Sequence, residues 1–261
     1  MKKIYYLPFL AVITLLAACN DHYYSPAMYK NDMVYQFKPM SSDSQKNATY
    51  ISGGINIGAG STQNDNVLMG ELHLDQAHTF DNLNIAYGAY GFAGSYQNSS
   101  IQTNEPQYFD SKFMGGYGFN ASANIFVTSG RADYRILGLA ASYSNEFGDY
   151  ADFRKKAQST PNFYTDASTS VFTAGFTNET IWRSSHNFQQ GYRVFLGEIF
   201  GNHNYINTST ATPTSSSNYN TFNNNGRVYI SGTYFLQVNK YHIAVDVQNF
   251  TAVNIQFGYR F

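Results

Sequence analysis

The stretch "RVYISGTYFLQVNKYHIAVDVQNFTAVNIQFGYRF" (residues 227–261) alternates apolar and polar side chains through three successive segments. In Arg227–Val238 the residues Val228, Ile230, Tyr234 and Leu236 share one parity. In Tyr241–Gln248 it is Tyr241, Ile243, Val245 and Val247, and in Val253–Phe261 it is Ile255, Phe257, Tyr259 and Phe261. The opposite parity carries Ser231, Thr233, Gln237, His242, Asp246, Gln256 and Arg260. A period of two puts alternate side chains on opposite faces of an extended strand. Segments of about ten residues match strands that cross a bilayer at a tilt.

Working back along the chain, the same pattern recurs. Tyr50–Gly58 sets Ile51, Ile55 and Ile57 against Ser52, Gly54 and Asn56, and Val67–Ala77 sets Leu68, Leu72 and Leu74 against Met69, Glu71, His73 and Asp75. Further strands are predicted at Leu83–Gln97, Lys112–Val127, Asp133–Phe147, Ser168–Trp182 and Gly191–Phe200. Two places are irregular. Ile136 and Leu137 are adjacent apolar residues, so the facing of their strand is ambiguous. Glu198 shares parity with Tyr192, Val194 and Leu196, which requires either a bulge or a position above the apolar band.

These segments predict an all-β antiparallel transmembrane β-barrel of ten strands, with eight as the alternative count. Short turns at His78–Asn82, Thr128–Arg131, Ser184–Phe188 and Asn239–Lys240 alternate with connections at 59–66, 98–111, 148–167, 201–226 and 249–252, most of them longer. Short turns at one end and long loops at the other are the asymmetry of an outer-membrane barrel. Composition agrees. The chain has 23 Tyr, 21 Phe and 21 Gly, yet only 13% charged residues and a mean hydropathy of −0.36. Soluble domains carry about 25% charge, whereas a membrane barrel places aromatics in two girdles and polar residues inside. Beyond "FRKK" there is no basic cluster, which argues against nucleic acid as a partner.

The N-terminus reads as a processing signal. Lys2 and Lys3 precede an apolar stretch, Ile4–Leu16, that is too short to span a membrane and ends in small residues before Cys19. Cys19 is the only cysteine, which excludes an internal disulfide framework. The expected organisation is a signal peptide at 1–18, a tether or plug at 19–48 that lacks strand alternation, and the barrel at 49–261. The stretch "INTSTATPTSSSNYNTFNNNG" is a polar, low-complexity loop.

Ionisable residues of inward parity, Glu71, His73, Asp75, His242, Asp246 and Arg260, admit a metal or acid/base site. The simpler reading is a satisfied polar network filling a narrow lumen. His203, in "GNHNY", is the only histidine placed for rim chemistry, and no acidic partners match it in spacing; no catalytic, cofactor or metal residues are assigned. "NEFGDYADFRKK" (145–156) is the most individual stretch. Glu146, Tyr150, Phe153 and Arg154 form a candidate ligand or partner loop, or else a loop pinned by its own ion pairs and aromatics.

"LAAC" resembles the lipobox of bacterial lipoproteins, which implies diacylation of the Cys19 sulfur and acylation of its new amino group. Together with "YYSP" (23–26), "YISGGINIG" (50–58), "NEFGDYADFR" (145–154) and the aromatic last strand, the mature chain resembles small outer-membrane lipoproteins of Bacteroidota-type bacteria. That resemblance implies the fold and the outer-membrane location and supplies no catalytic residues. Phe257, Tyr259 and Phe261 resemble the terminal signal read by barrel-assembly machinery. The expected function is a non-enzymatic lipoprotein barrel with a structural or accessory role. It would contact outer-membrane lipid and present loops outward or bind a larger outer-membrane complex. The alternatives are a narrow pore or small-ligand transporter and, last, a surface enzyme.

Overall fold

A computed structural model describes residues 23–59, 65–98, 108–157, 164–185, 187–200 and 228–261. Cys19, His203 and the polar loop at 205–226 lie outside the described residues.

Ten antiparallel strands close into a barrel. They are β2 (Asn47–Ala59), β3 (Asp65–Thr79), β4 (Leu83–Asn98), β5 (Lys112–Ser129), β6 (Ala132–Phe147), β8 (Ser170–Ser185), β9 (Phe188–Phe200), β10 (Val228–Val238), β11 (Tyr241–Gln248) and β12 (Ala252–Arg260). Each pairs with its neighbours in sequence, and β12 pairs with β2, from Ala252↔Gly58 to Arg260↔Tyr50. Closure gives every strand of the barrel a partner on both sides. Most strands run a few residues beyond the predicted segments at one or both ends. A parallel pair of two-residue strands, β1 (Tyr23–Tyr24) and β7 (Tyr164–Thr165), lies apart from the barrel sheet.

The alternation sets the two faces. Ile55, Leu72, Phe119, Phe176, Leu196, Ile255 and Phe257 are exposed outward, while Glu71, His73, Asn124, Glu179, Arg193 and Asp246 are buried inward. An apolar exterior around a polar interior inverts a soluble barrel and is the arrangement a bilayer demands.

Both irregular places resolve. In β6 the register against β8 slips between Arg135 and Gly138, so Ile136 and Leu137 together oppose Asn178. This bulge turns both outward, at 61% and 53% exposure, and Asn178 Nδ2 donates to the Ile136 carbonyl at 2.8 Å. In β9 no slip occurs near Glu198, which pairs in register with Ala174 and Val228. Glu198 therefore faces outward close to the loop end of its strand, and the bulge alternative falls.

At one end of the barrel the connections are 80–82, 130–131, 186–187 and 239–240, beside the start of β2 and the end of β12. At the other end they are 60–64, 99–111, 148–169, 201–227 and 249–251. The predicted loop at 148–167 contains a helix, α1 (Asp149–Ala157), entered through Gly148 at φ 111°. That left-handed φ suits glycine and lets the chain turn sharply from β6 into the helix.

Candidate functional site

The distinctive feature of this barrel is what occupies it. Residues 24–40 run through the lumen, and Tyr24, Met28, Asp32, Met33, Tyr35, Gln36, Phe37, Lys38 and Met40 are all buried. The segment lacks a period because its side chains meet an enclosing wall on all sides rather than one face of a sheet.

At the loop end it is held by α1 and its surroundings. The Tyr150 ring stacks on Tyr96 at 4.0 Å and its hydroxyl donates to the Ser25 carbonyl at 2.8 Å. Burial pushes the Tyr150 phenol above its ordinary pKa, so it remains a neutral donor. Glu146, facing inward at the end of β6, accepts from the Ala27 amide at 2.6 Å and pairs with Arg154. Arg154 also donates to the carbonyls of Asp166 and Ser168. Phe153 meets Tyr24 edge-on at 5.2 Å, and Lys112 lies over the Phe109 and Phe153 rings at 4.9 and 5.1 Å. All four residues predicted for this loop thus come together: Glu146, Tyr150 and Phe153 touch residues 24–27, and Arg154 holds Glu146. Acidic residues in the first turn of α1 and basic ones in the last match the helix dipole.

Midway, Arg193 donates to the Met33 carbonyl at 3.1 Å and pairs with Asp246 at 3.3 Å, which also accepts from Thr233 at 2.9 Å. Thr173 donates to Asp32 at 3.0 Å. Lower down, Glu179 gathers three donors: Arg135 at 2.6 Å, Lys38 at 3.7 Å and the Tyr35 hydroxyl. Tyr35 stacks on Phe235 at 4.3 Å, and Phe37 packs on His242 at 3.9 Å. Gln36 donates to Asp75 at 2.9 Å and accepts from Ser122 at 3.0 Å.

At the turn end, Arg135 donates to the Pro39 carbonyl at 3.1 Å, and the Ser41 amide donates to Asp133 at 2.6 Å. Asp43 receives Arg183 and, at 3.0 Å, Arg260. From Tyr24 to Asp43 the partners thus move steadily from one mouth to the other.

The inward ionisable residues do not gather into one cluster. Glu71 accepts from Asn254 at 2.9 Å and contacts His73 at 3.1 Å; His242 meets Ser52 at 3.2 Å. Among the described residues no three His, Cys, Asp or Glu side chains group as metal ligands. The wall is less polar than the parity reading allowed. Tyr90, Phe92, Phe195, Tyr229 and Phe235 face inward, and most of them pack around the central segment. Glycines on the neighbouring strand make room for them, since a Cβ at Gly116 would sit 2.4 Å from the Phe92 ring.

Sequence reasoning did not single out Arg135, Glu179, Arg193 or Asp43. Glu179 and Arg193 were within reach, because both are charged residues of inward parity in clean strands. Arg135 was masked by the bulge beside it. Phe257 and Phe261 are exposed on the outer face, with Tyr259 edge-on to Phe261 at 5.1 Å.

No protein-family model matches the chain, and no curated protein sequence is similar to it. Among solved structures it is similar to the translocator domain of the autotransporter NalP from Neisseria meningitidis. The identity is 8% and the TM-score 0.41, over 82% of this chain and 87% of that one. It is also similar to the transport unit of the autotransporter AIDA-I from Escherichia coli, at 10% identity and TM-score 0.39, over 86% and 92%. A third is the KdgM porin in complex with disordered oligogalacturonate, at 12% and 0.28, over 82% and 98%. At these scores the fold rests on the strand register itself.

Proposed function

We propose that this chain is a non-enzymatic outer-membrane lipoprotein barrel, lipidated at Cys19, whose lumen is held shut by its own N-terminal segment. Its role is structural or accessory, exercised through the surface at its loop-bearing mouth or within a larger outer-membrane complex. The apolar exterior supports residence in lipid, and the exposed aromatic end of β12 supports delivery by barrel-assembly machinery. The observation that carries the reading is the occupied lumen. A transport path would need residues 24–40 out of the way, and these are tied to the wall at both mouths and midway. The inward acids are likewise taken up by internal partners rather than turned toward a cleft, which supports a non-catalytic role.

Planar-bilayer recording tests this. Purified full-length protein is expected to be electrically silent, and a variant with residues 24–40 replaced by a Gly/Ser linker is expected to conduct. Steady conductance from the unaltered protein would favour the pore reading instead. Lipidation is tested separately, by loss of metabolic fatty-acid label in Cys19→Ala.

A further inference from the structure

The direction in which the central segment crosses the lumen decides where an N-terminal anchor can sit. Asp43 lies at the turn end, beside Arg183, Arg260 and the start of β2. Twenty residues earlier the chain is at the opposite mouth. There Tyr23 and Tyr24 run alongside Tyr164 and Thr165 in the connection between β6 and β8, and the Tyr24 ring lies against Tyr96 and Phe153. Long connections gather at this mouth, and in outer-membrane barrels that end faces outside the cell.

We infer that Cys19 anchors the protein in the outer leaflet, on the cell-surface side, after the chain has passed through its own barrel. This rests on the lipidation proposed above. Cys19 is four Cα-to-Cα steps from Tyr23, a reach of at most about 14 Å. The apolar band of such a barrel is about 25 Å tall. Acyl chains at Cys19 can therefore reach lipid at the loop end but not the periplasmic leaflet, which lies beyond the whole height of the barrel. The ligand of this end of the chain is the outer membrane's external lipid layer.

The test uses full-length protein in intact cells carrying a fatty-acid label. Asp21→Cys supplies a thiol next to the anchor and Arg131→Cys supplies one at a short turn. Both are probed with a maleimide too large and polar to cross the outer membrane. Heat-modifiable gel mobility verifies that each variant is folded. The expected result is fatty-acid label in both variants, with maleimide on Asp21→Cys in intact cells and on Arg131→Cys only after permeabilisation. Fatty-acid label with Asp21→Cys silent until permeabilisation would overturn the inference. Maleimide labelling of the unaltered protein in intact cells, through Cys19 itself, would show a free thiol and remove the anchor, while leaving the exit of the chain at the loop end standing.

Discussion

Glu179 is the buried acid that receives Lys38 of the central segment. It is fully buried and receives Arg135, Lys38 and Tyr35, one from the wall and two from the segment. Removing one partner of a buried ion pair strands the others and costs about 3–5 kcal/mol. Glu179→Ala is accordingly expected to lower the midpoint of urea unfolding, followed through Trp182, the only tryptophan in the chain. The double variant Glu179→Met/Arg135→Met should recover part of that loss. Tyr150→Phe is milder: losing its bond to the Ser25 carbonyl costs about 1 kcal/mol. Its effect is expected to be local, as faster amide exchange over residues 24–28 without a change at the turn end. At this scale the sequence was legible wherever parity was clean, as with Glu71, His73 and Asp246. What was not legible is a partner that lay in a segment without period, such as the Met33 carbonyl that Arg193 reaches.

Among the elements, β6 shows how a barrel accommodates one extra residue. The bulge at Ile136–Leu137 lets an apolar pair face lipid while Arg135 below it and Ser142 above it still face the lumen. Deleting Leu137 would remove the bulge and invert nothing, because Arg135 inward, Ile136 outward and Gly138 inward then follow the plain period of two, with Ile136 alone opposite Asn178. That deletion is expected to retain the heat-modifiable folded form, whereas Leu137→Asp, which puts a charge on the outer face, should lower its yield. The adjacent apolar pair was visible in the sequence, but the direction of the bulge is fixed only by pairing with Asn178. Helix α1 went unread for a different reason. Its buried positions Tyr150, Arg154 and Ala157 do follow helical spacing, but one of them is an arginine, so no apolar stripe announces it.

For the molecule as a whole, the strand count and facing were legible because lipid imposes one rule on every outward residue. The filling of the lumen was not, because an enclosed thread obeys no repeat. The β2–β12 seam closes the barrel, and Phe261 extends it: its amide donates to the Thr49 carbonyl at 2.9 Å. Phe261→Asp keeps that backbone bond but puts a charge on the outer face. It is expected to lower the fraction of protein recovered as folded barrel in outer-membrane fractions, measured by heat-modifiable mobility.

A closed ring with its own chain running through it is mechanically interlocked, and this constrains the history of the molecule. If Cys19 is acylated as proposed, that chain end would be too bulky to be drawn through a closed lumen walled by Phe235, Glu179 and Arg193. On that proposal the thread would be laid down while the sheet is still open, and the β2–β12 seam would zip up around it. Once the seam is shut, the proposed acyl groups at one end and the ring's own first strand at the other would act as stoppers. Loosening the contacts midway then gives slack in the thread rather than its escape.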